Sequence, residues 1–249
     1  MQPTERRDRI MQQVRKNSKV EIDFLATELN VSPMTIRRDL DQLEEEGQVI
    51  RIHGGAVLPK PLITETPFLT KESRRIEQKR IIAQKALSYI KDGQTILLDS
   101  GTTTLELARL LRNRENVTVI TNDIKIAAEL VDSTLKVIVT GGELQNDVGA
   151  LFGPQTHQLL KTIHVDLFFL GAHAIDLNAG VTSPTFEKSL VKQLMIQAAD
   201  KTWLVADSSK INQKAFSKVC GLNELTGFIT DEDIADNDRN ILSETIDIL

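Results

Sequence analysis

The sequence predicts a two-part α/β protein, with a small winged helix-turn-helix at the N-terminus and a larger α/β unit built on a parallel sheet after it. Three observations carry this. Residues before Pro59 hold three short helical apolar patterns, then a strand, a glycine turn and a returning strand. Residues after Ser73 alternate continuous apolar runs with helical stretches. Between them, PKPLITETPFLTKES has three prolines and neither a helical nor an alternating apolar pattern, as a linker or extended arm reads. The expected organisation is therefore 1–58, a linker at 59–73, and 74–249.

The first helical pattern carries Ile10 and Val14, and the second carries Ile22, Leu25, Ala26 and Leu29 at i, i+3, i+4, i+7. The third carries Ile36, Leu40 and Leu43. It begins sharply, with Ser32 as N-cap and Pro33 at the first helical position, and Gly47 suits its far end. QVIRIHGGAVL then reads as a strand, a turn at Gly54 and Gly55, and a second strand.

At about 100° per residue, the apolar stripe of the third helix leaves Met34, Thr35, Arg38, Asp41 and Gln42 on the opposite face, with Arg37 at the flank. In a helix-turn-helix the second helix enters the major groove, its N-terminal residues reach base edges, and neighbouring basic groups hold phosphates. Ser32, Met34, Thr35, Arg37, Arg38, Gln42, Arg51 and His53 are thus the candidate DNA-binding residues. Thr35 and Arg38 suit base contacts; Arg37, Arg51 and His53 suit phosphate or wing contacts. The net charge of −5 argues against a wholly basic nucleic-acid binder. Acidic and basic residues roughly balance over residues 1–60, however, so the acidic excess lies downstream.

In the larger part, strands are expected at TILLD (95–99), VTVIT (117–121), KVIVT (136–140), DLFFL (166–170), WLVAD (203–207) and GFIT (227–230). Uninterrupted apolar strands with helical crossovers belong to a parallel sheet covered on both faces. TILLD runs directly into SGTTT and a helix. Backbone N–H groups at such a turn face an anion, Gly101 permits close approach, and Ser100, Thr102, Thr103 and Thr104 add hydroxyls. The loop lacks the Gly-Lys-Ser/Thr ending of a nucleotide-binding P-loop and the three glycines of a dinucleotide fingerprint, so a small sugar phosphate fits better than ATP or NAD. Polar turns after the later strands, at Thr121 and Asn122, Gly141 and Gly142, Gly171, and Asp207 to Lys210, are expected to converge at the carboxyl end of the sheet.

The remaining composition excludes several classes. The chain is 41% hydrophobic and 26% charged, enough for a full core. The start MQPTERRDRI has no apolar h-region, and no run reaches the ~18 apolar residues of a membrane span, so no membrane association and a cytoplasmic location are expected. One cysteine, Cys220, excludes an internal disulfide framework and is expected to pack in the core. His53, His157, His164 and His173 lack metal-ligand spacing, and His164 and His173 read as structural or surface residues; neither metal nor cofactor is expected.

The stretches ERRDRIMQQV, VSPMTIRRDLDQLEEEGQVIRIHGGA, ILLDSGTTT, VITND, VIVTGGEL, FLGAHAID, FEKSLVKQLMI and VADSSK together resemble the DeoR family of bacterial sugar-metabolism regulators almost end to end. The resemblance implies a sensor domain similar to ribose-5-phosphate isomerase, repression of an operon for sugar or polyol uptake or catabolism, and release from operator DNA by a phosphorylated intermediate. It implies effector contacts at Asp99, Gly101, Thr102, Thr103 and Thr104, and also at Thr121, Asn122, Gly141, Glu187, Asp207 and Lys210. Gln78 before Lys79 and His173 after FLGA depart from the family pattern, the latter bearing on effector choice. A homo-oligomer, dimer or tetramer, is expected. Two alternatives stand beside this reading: a sugar-phosphate isomerase with an appended DNA-binding domain, using Asp99, Glu187 and Lys210, and a constitutive DNA-binding protein whose second domain only oligomerises.

Overall fold

The computed structural model describes residues 2–17, 19–46, 48–52, 54–58, 62–63 and 65–249. The chain forms two compact units, residues 1–61 and 62–249.

The first unit runs α1 (Pro3–Asn17), β1 (Lys19–Glu21), α2 (Ile22–Leu29), α3 (Pro33–Glu45), β2 (Ile50–Ile52) and β3 (Gly55–Val57). Its core is the set of apolar residues spaced for it, with Ile10, Val14, Leu25, Ile36 and Leu40 fully buried. The turn from α2 to α3 passes through Asn30 in the left-handed region at φ 51°, and Ser32 then caps α3 by accepting from Thr35 N. Asp39, on the inner side of α3, is buried and receives both Arg6 Nε and Arg6 Nη2, the latter at 3.0 Å. This buried ion pair fastens α1 to α3. The hairpin expected from QVIRIHGGAVL forms as β2 and β3, but a third strand joins it: β1 pairs antiparallel with β3, which becomes central. A Cβ at Gly55 would lie 1.9 Å from the Val20 carbonyl oxygen, so the close approach of β1 depends on glycine there. Gly47 and His53 lie outside the described residues.

The second unit begins with α4 (Phe68–Glu72) and α5 (Ile76–Leu87). The expected linker at 59–73 is corrected here over its second half. Phe68 is buried in the core, its N–H donates to the Asp147 carbonyl at 3.0 Å, and Lys79 donates to the carbonyls of Lys71 and Arg74. One anchoring aromatic on a five-residue helix is too short a pattern for periodicity to reveal.

There follow β4 (Thr95–Leu98), α6 (Thr102–Leu111), β5 (Thr118–Thr121), α7 (Ile124–Leu130), β6 (Lys136–Val139), β7 (Glu143–Gln145), β8 (Ala150–Phe152), α8 (Pro154–Leu160), β9 (Val165–Gly171), β10 (Ala174–Asp176), β11 (Gly180–Ser183), α9 (Phe186–Gln197), β12 (Ala199–Val205), β13 (Ser217–Cys220), β14 (Gly227–Ile229) and α10 (Asp236–Ser243). Among the described residues, β14-β12-β9-β4-β5-β6 form a parallel sheet of six strands. These are the six predicted runs.

Alternate residues of the strands face opposite layers. Leu97, Phe168, Leu170, Leu204 and Phe228 pack with Leu160 of α8 and Val191, Leu194 and Met195 of α9. Ile96, Leu98, Leu167, Phe169, Val205 and Ile229 pack with α5, α6 and α7. Burying both faces is why these runs carry no alternation. Two small antiparallel additions, β7-β8 and β10-β11-β13, had no such signal, being three or four residues long. Cys220 is buried in β13, where burial pushes its thiol up to about 12. Past α10 the chain returns to β14: Phe228 N–H donates to the Asp247 carbonyl at 2.8 Å, Leu249 N–H to Phe228 at 2.9 Å, and Thr230 N–H to Leu249 at 3.1 Å.

From β4 the chain winds outward through β5 and β6, then crosses to β9 on the other side of β4 and winds through β12 to β14. The strand order therefore reverses between β4 and β9. Such a reversal opens a crevice at the carboxyl ends of the two strands.

Candidate nucleic-acid interface and anion crevice

On α3, Met34, Arg37, Arg38, Asp41 and Gln42 are exposed while Ile36, Leu40 and Leu43 are buried. Two of the predicted residues also serve the helix start. Ser32 and Thr35 hold each other, hydroxyl to hydroxyl, at 2.9 Å. Arg51, expected to make phosphate or wing contacts, has protein partners: Nε donates to Asp41 at 3.1 Å, Nη1 to the Gly55 carbonyl at 3.0 Å, and its backbone N–H to Glu44 at 2.7 Å. It stitches the wing to α3, so the exposed cations on the outer face of this helix are Arg37 and Arg38. His53 lies outside the described residues.

In the second unit the loops after β4, β5 and β9 are joined by direct hydrogen bonds. Asp99, at the end of β4, is buried, accepts from Gly171 N–H at 2.9 Å and is ion-paired with Lys192 of α9, which also donates to the Gly171 carbonyl at 2.9 Å. Ser100 donates at 2.6 Å to Asp123, whose other oxygen caps α7 through Lys125 N–H and Ile126 N–H. Burial pushes the Asp123 carboxyl above its ordinary range against these bonds. Gly101 leads into α6, where Thr102 and Thr103 open the first turn. Six of the predicted residues thus line the switch point: Asp99, Ser100, Gly101, Thr102, Thr103 and Gly171.

Others have structural partners. Thr104 is fully buried and donates to the carbonyls of Asp99 and Gly101 at 2.7 and 2.9 Å, closing the loop on itself. Thr121 is fully buried, donating to Leu98 at 2.9 Å and accepting from Asp123 N–H at 3.1 Å. The Asn122 amide donates to the Leu151 carbonyl at 3.2 Å, and its buried Oδ1 has no hydrogen-bond partner among the described residues. Gly141 accepts from Thr156 at 2.6 Å, and Gly142, at φ 113°, lies where a Cβ would meet the Phe152 carbonyl oxygen at 2.1 Å. These two glycines seat β7-β8. Glu187 is exposed, with Oε1 3.4 Å from His157 Nε2. Asp207 is buried, accepts from Ser209 N–H at 3.2 Å and lies 3.3 Å from Arg75 Nε. Lys210 is half-buried, close enough for its charge to act on Lys79 and His173.

The lysines of α9 and Glu65 are not among the predicted site residues. Lys188 and Lys192, one helical turn apart, are both buried. Lys188 is ion-paired with Glu65, which also receives Lys71 at 3.1 Å. Burial pushes the Lys188 ammonium down to about 8 in spite of Glu65. Burial works to raise the Glu65 carboxyl, yet Lys71 and Lys188 together hold it below the usual range. His173, expected to be structural or on the surface, is half-buried and feels the charges of Glu65, Lys210, Lys71 and Lys188, with burial pushing it down to about 4. The signal for the lysines was present in FEKSLVKQLMI: two cations at i, i+4 inside an otherwise buried helix.

These two units define a class, a helix-turn-helix protein that carries an α/β sensor domain. Residues 6–61 match the DeoR-like helix-turn-helix domain, and residues 74–232 match the DeoR C terminal sensor domain. The chain is 36% identical to the HTH-type transcriptional regulator GlpR of Haloferax volcanii, over all of this chain and 98% of that protein. It is 34% identical to a putative aga operon transcriptional repressor of Escherichia coli O157:H7, over 93% of this chain and 87% of the relative. It is also 34% identical to a lactose phosphotransferase system repressor of Staphylococcus epidermidis, over 98% of both. A ribose 5-phosphate isomerase A from Methanocaldococcus jannaschii is a more distant likeness, 18% identical with a TM-score of 0.41, over 55% of this chain and 54% of that one. The protein belongs to the DeoR family and is a DNA-binding transcriptional regulator. Among the described residues no helix is long and apolar enough to cross a membrane.

Proposed function

We propose that this regulator is a cytoplasmic repressor of an operon for sugar or polyol uptake or catabolism, and that a phosphorylated sugar intermediate releases it from operator DNA. The observation that carries the effector half is the Ser100–Thr103 loop opening α6 at the switch point, next to Asp99 and its buried partner Lys192, with the buried Lys188 one turn along α9. Backbone N–H groups at a helix start and lysines deprived of water make a setting for a phosphate. Relatives named as repressors of the aga operon and of the lactose phosphotransferase system support the sugar half.

Arg38 reads bases and Arg37 holds phosphate, with the winged helices of a homo-oligomer on half-sites about 34 Å, or a multiple, apart. The protein is not an isomerase on this reading. Asp99 is committed to Gly171 N–H and Lys192, and Glu187 is exposed beside His157, which leaves neither carboxylate disposed as a base over a bound sugar. Fluorescence anisotropy of a labelled promoter fragment from the protein's own locus, titrated with protein and then with sugar phosphates, tests the reading. Release by one phosphosugar is expected; tight binding indifferent to all of them sinks the effector half. Turnover of pentose phosphates by the purified protein would refute its non-enzymatic character.

A further inference from the structure

The crevice contains an anion of its own. Glu65 lies just before α4, where its carboxylate is paired with Lys188 and receives Lys71 at 3.1 Å. A buried ammonium is costly unless an anion faces it, and Lys188 is only 8% exposed, with Lys71 and Lys192 adding like charge. Glu65 answers that need. Its carboxylate across two ammonium groups makes the arrangement a phosphate monoester would make through two of its oxygens.

The attachment of this segment is uneven. Phe68 is fixed in the core, with its ring under Lys125 at 4.1 Å and its N–H on the Asp147 carbonyl. Lys79 ties down the carbonyls of Lys71 and Arg74. Ahead of Phe68, the described polar ties are the Glu65 pairs, the Lys71 N–H on the Pro67 carbonyl at 3.1 Å next to the helix itself, and farther out one backbone bond, from Phe216 N–H to the Leu62 carbonyl at 3.0 Å. Leu62 and Ile63 are exposed. Lys71 therefore stays with the anchored part while Glu65 belongs to the part that can leave.

We propose that Glu65 is a built-in stand-in for the effector's phosphate, so that a phosphate monoester binding Lys71 and Lys188 displaces Glu65 and frees the chain ahead of Phe68. This deepens the effector reading given above and rests on it for its biological use, because the freed segment continues directly into the DNA-binding unit. Anion for anion, the exchange keeps the lysines neutralised, and the signal is the detachment of the arm.

Hydrogen–deuterium exchange on the full-length protein, with inorganic phosphate titrated at constant ionic strength, tests this. Phosphate should deprotect the Phe216 amide, which rests on the Leu62 carbonyl, while the Phe68 amide, on the Asp147 carbonyl, stays protected. Glu65→Gln should show the open arm without phosphate and bind phosphate about tenfold tighter, a coupling of ordinary size. Lys71→Gln, which weakens the hold on both anions, should also open the arm but bind phosphate more weakly. Phosphate binding that leaves the arm as protected as before, or a Glu65→Gln protein that binds phosphate no tighter than the parent, overturns the proposal. DNA release by a phosphosugar with the arm still protected overturns it too, while leaving the proposed function standing.

Discussion

Arg38 and Arg51 were both candidate DNA contacts in the sequence, and the structure separates them by their partners. Arg38 is exposed on the outer face of α3, whereas Arg51 is held by Asp41 and the Gly55 carbonyl. Arg38→Ala should relax base preference by about 1–3 kcal/mol at one operator position, read from binding to a set of single-base variants. Arg51→Ala should instead weaken cognate and random DNA alike by loosening the wing, while leaving the salt slope close to that of the parent. His173 gives a pH prediction. Its folded imidazole is pushed down to about 4, whereas in the unfolded chain it titrates near 6.5. Between those values the unfolded chain binds a proton that the folded one refuses, so stability present above pH 6.5 is lost as the pH falls toward 4. Urea unfolding from pH 7 to 4.5 should show the loss, and His173→Gln should remove on the order of 2 kcal/mol of it. Individual polar roles were the least legible layer of the sequence. SGTTT suggested a loop suited to an anion, but nothing local told Thr104, turned onto its own loop, from Thr103, or marked Glu65 as the partner of a lysine 123 residues away.

At the scale of elements, the legible features were those repeated over several residues. The stripe of α3, its Ser32 cap and the six apolar runs all formed where expected. Strand β1 escaped notice because three residues with one buried side chain carry no period, and its place is fixed by pairing with β3, over thirty residues away. Gly55 is where that long-range fact touches the sequence. Gly55→Ala should drive β1 off β3 and cost the first unit about 2–4 kcal/mol, read as an earlier unfolding transition of that unit with the second unit's unchanged. Asp39→Ala tests the joint between α1 and α3. It strands Arg6 as a buried cation and should cost about 3–5 kcal/mol, whereas replacing both partners by apolar residues of similar volume should cost far less.

For the whole molecule, topology decides what composition could not. No run of residues states that β4 lies between β5 and β9, yet that order creates the crevice and brings Asp99, Gly171 and Lys192, distant in sequence, into one hydrogen-bonded group. The same order leaves β14 and β6 as the outermost strands, and the two are treated differently. Strand β14 is fully buried, and residues 247–249 lie along it with alternating backbone bonds to Phe228 and Thr230. An uncovered strand edge offers free N–H and C=O groups to any other strand that meets it. Residues 247–249 occupy that edge of β14, so removing them should leave DNA affinity intact in fresh protein yet shorten its soluble lifetime, followed by light scattering on storage, as sheets from separate molecules begin to join.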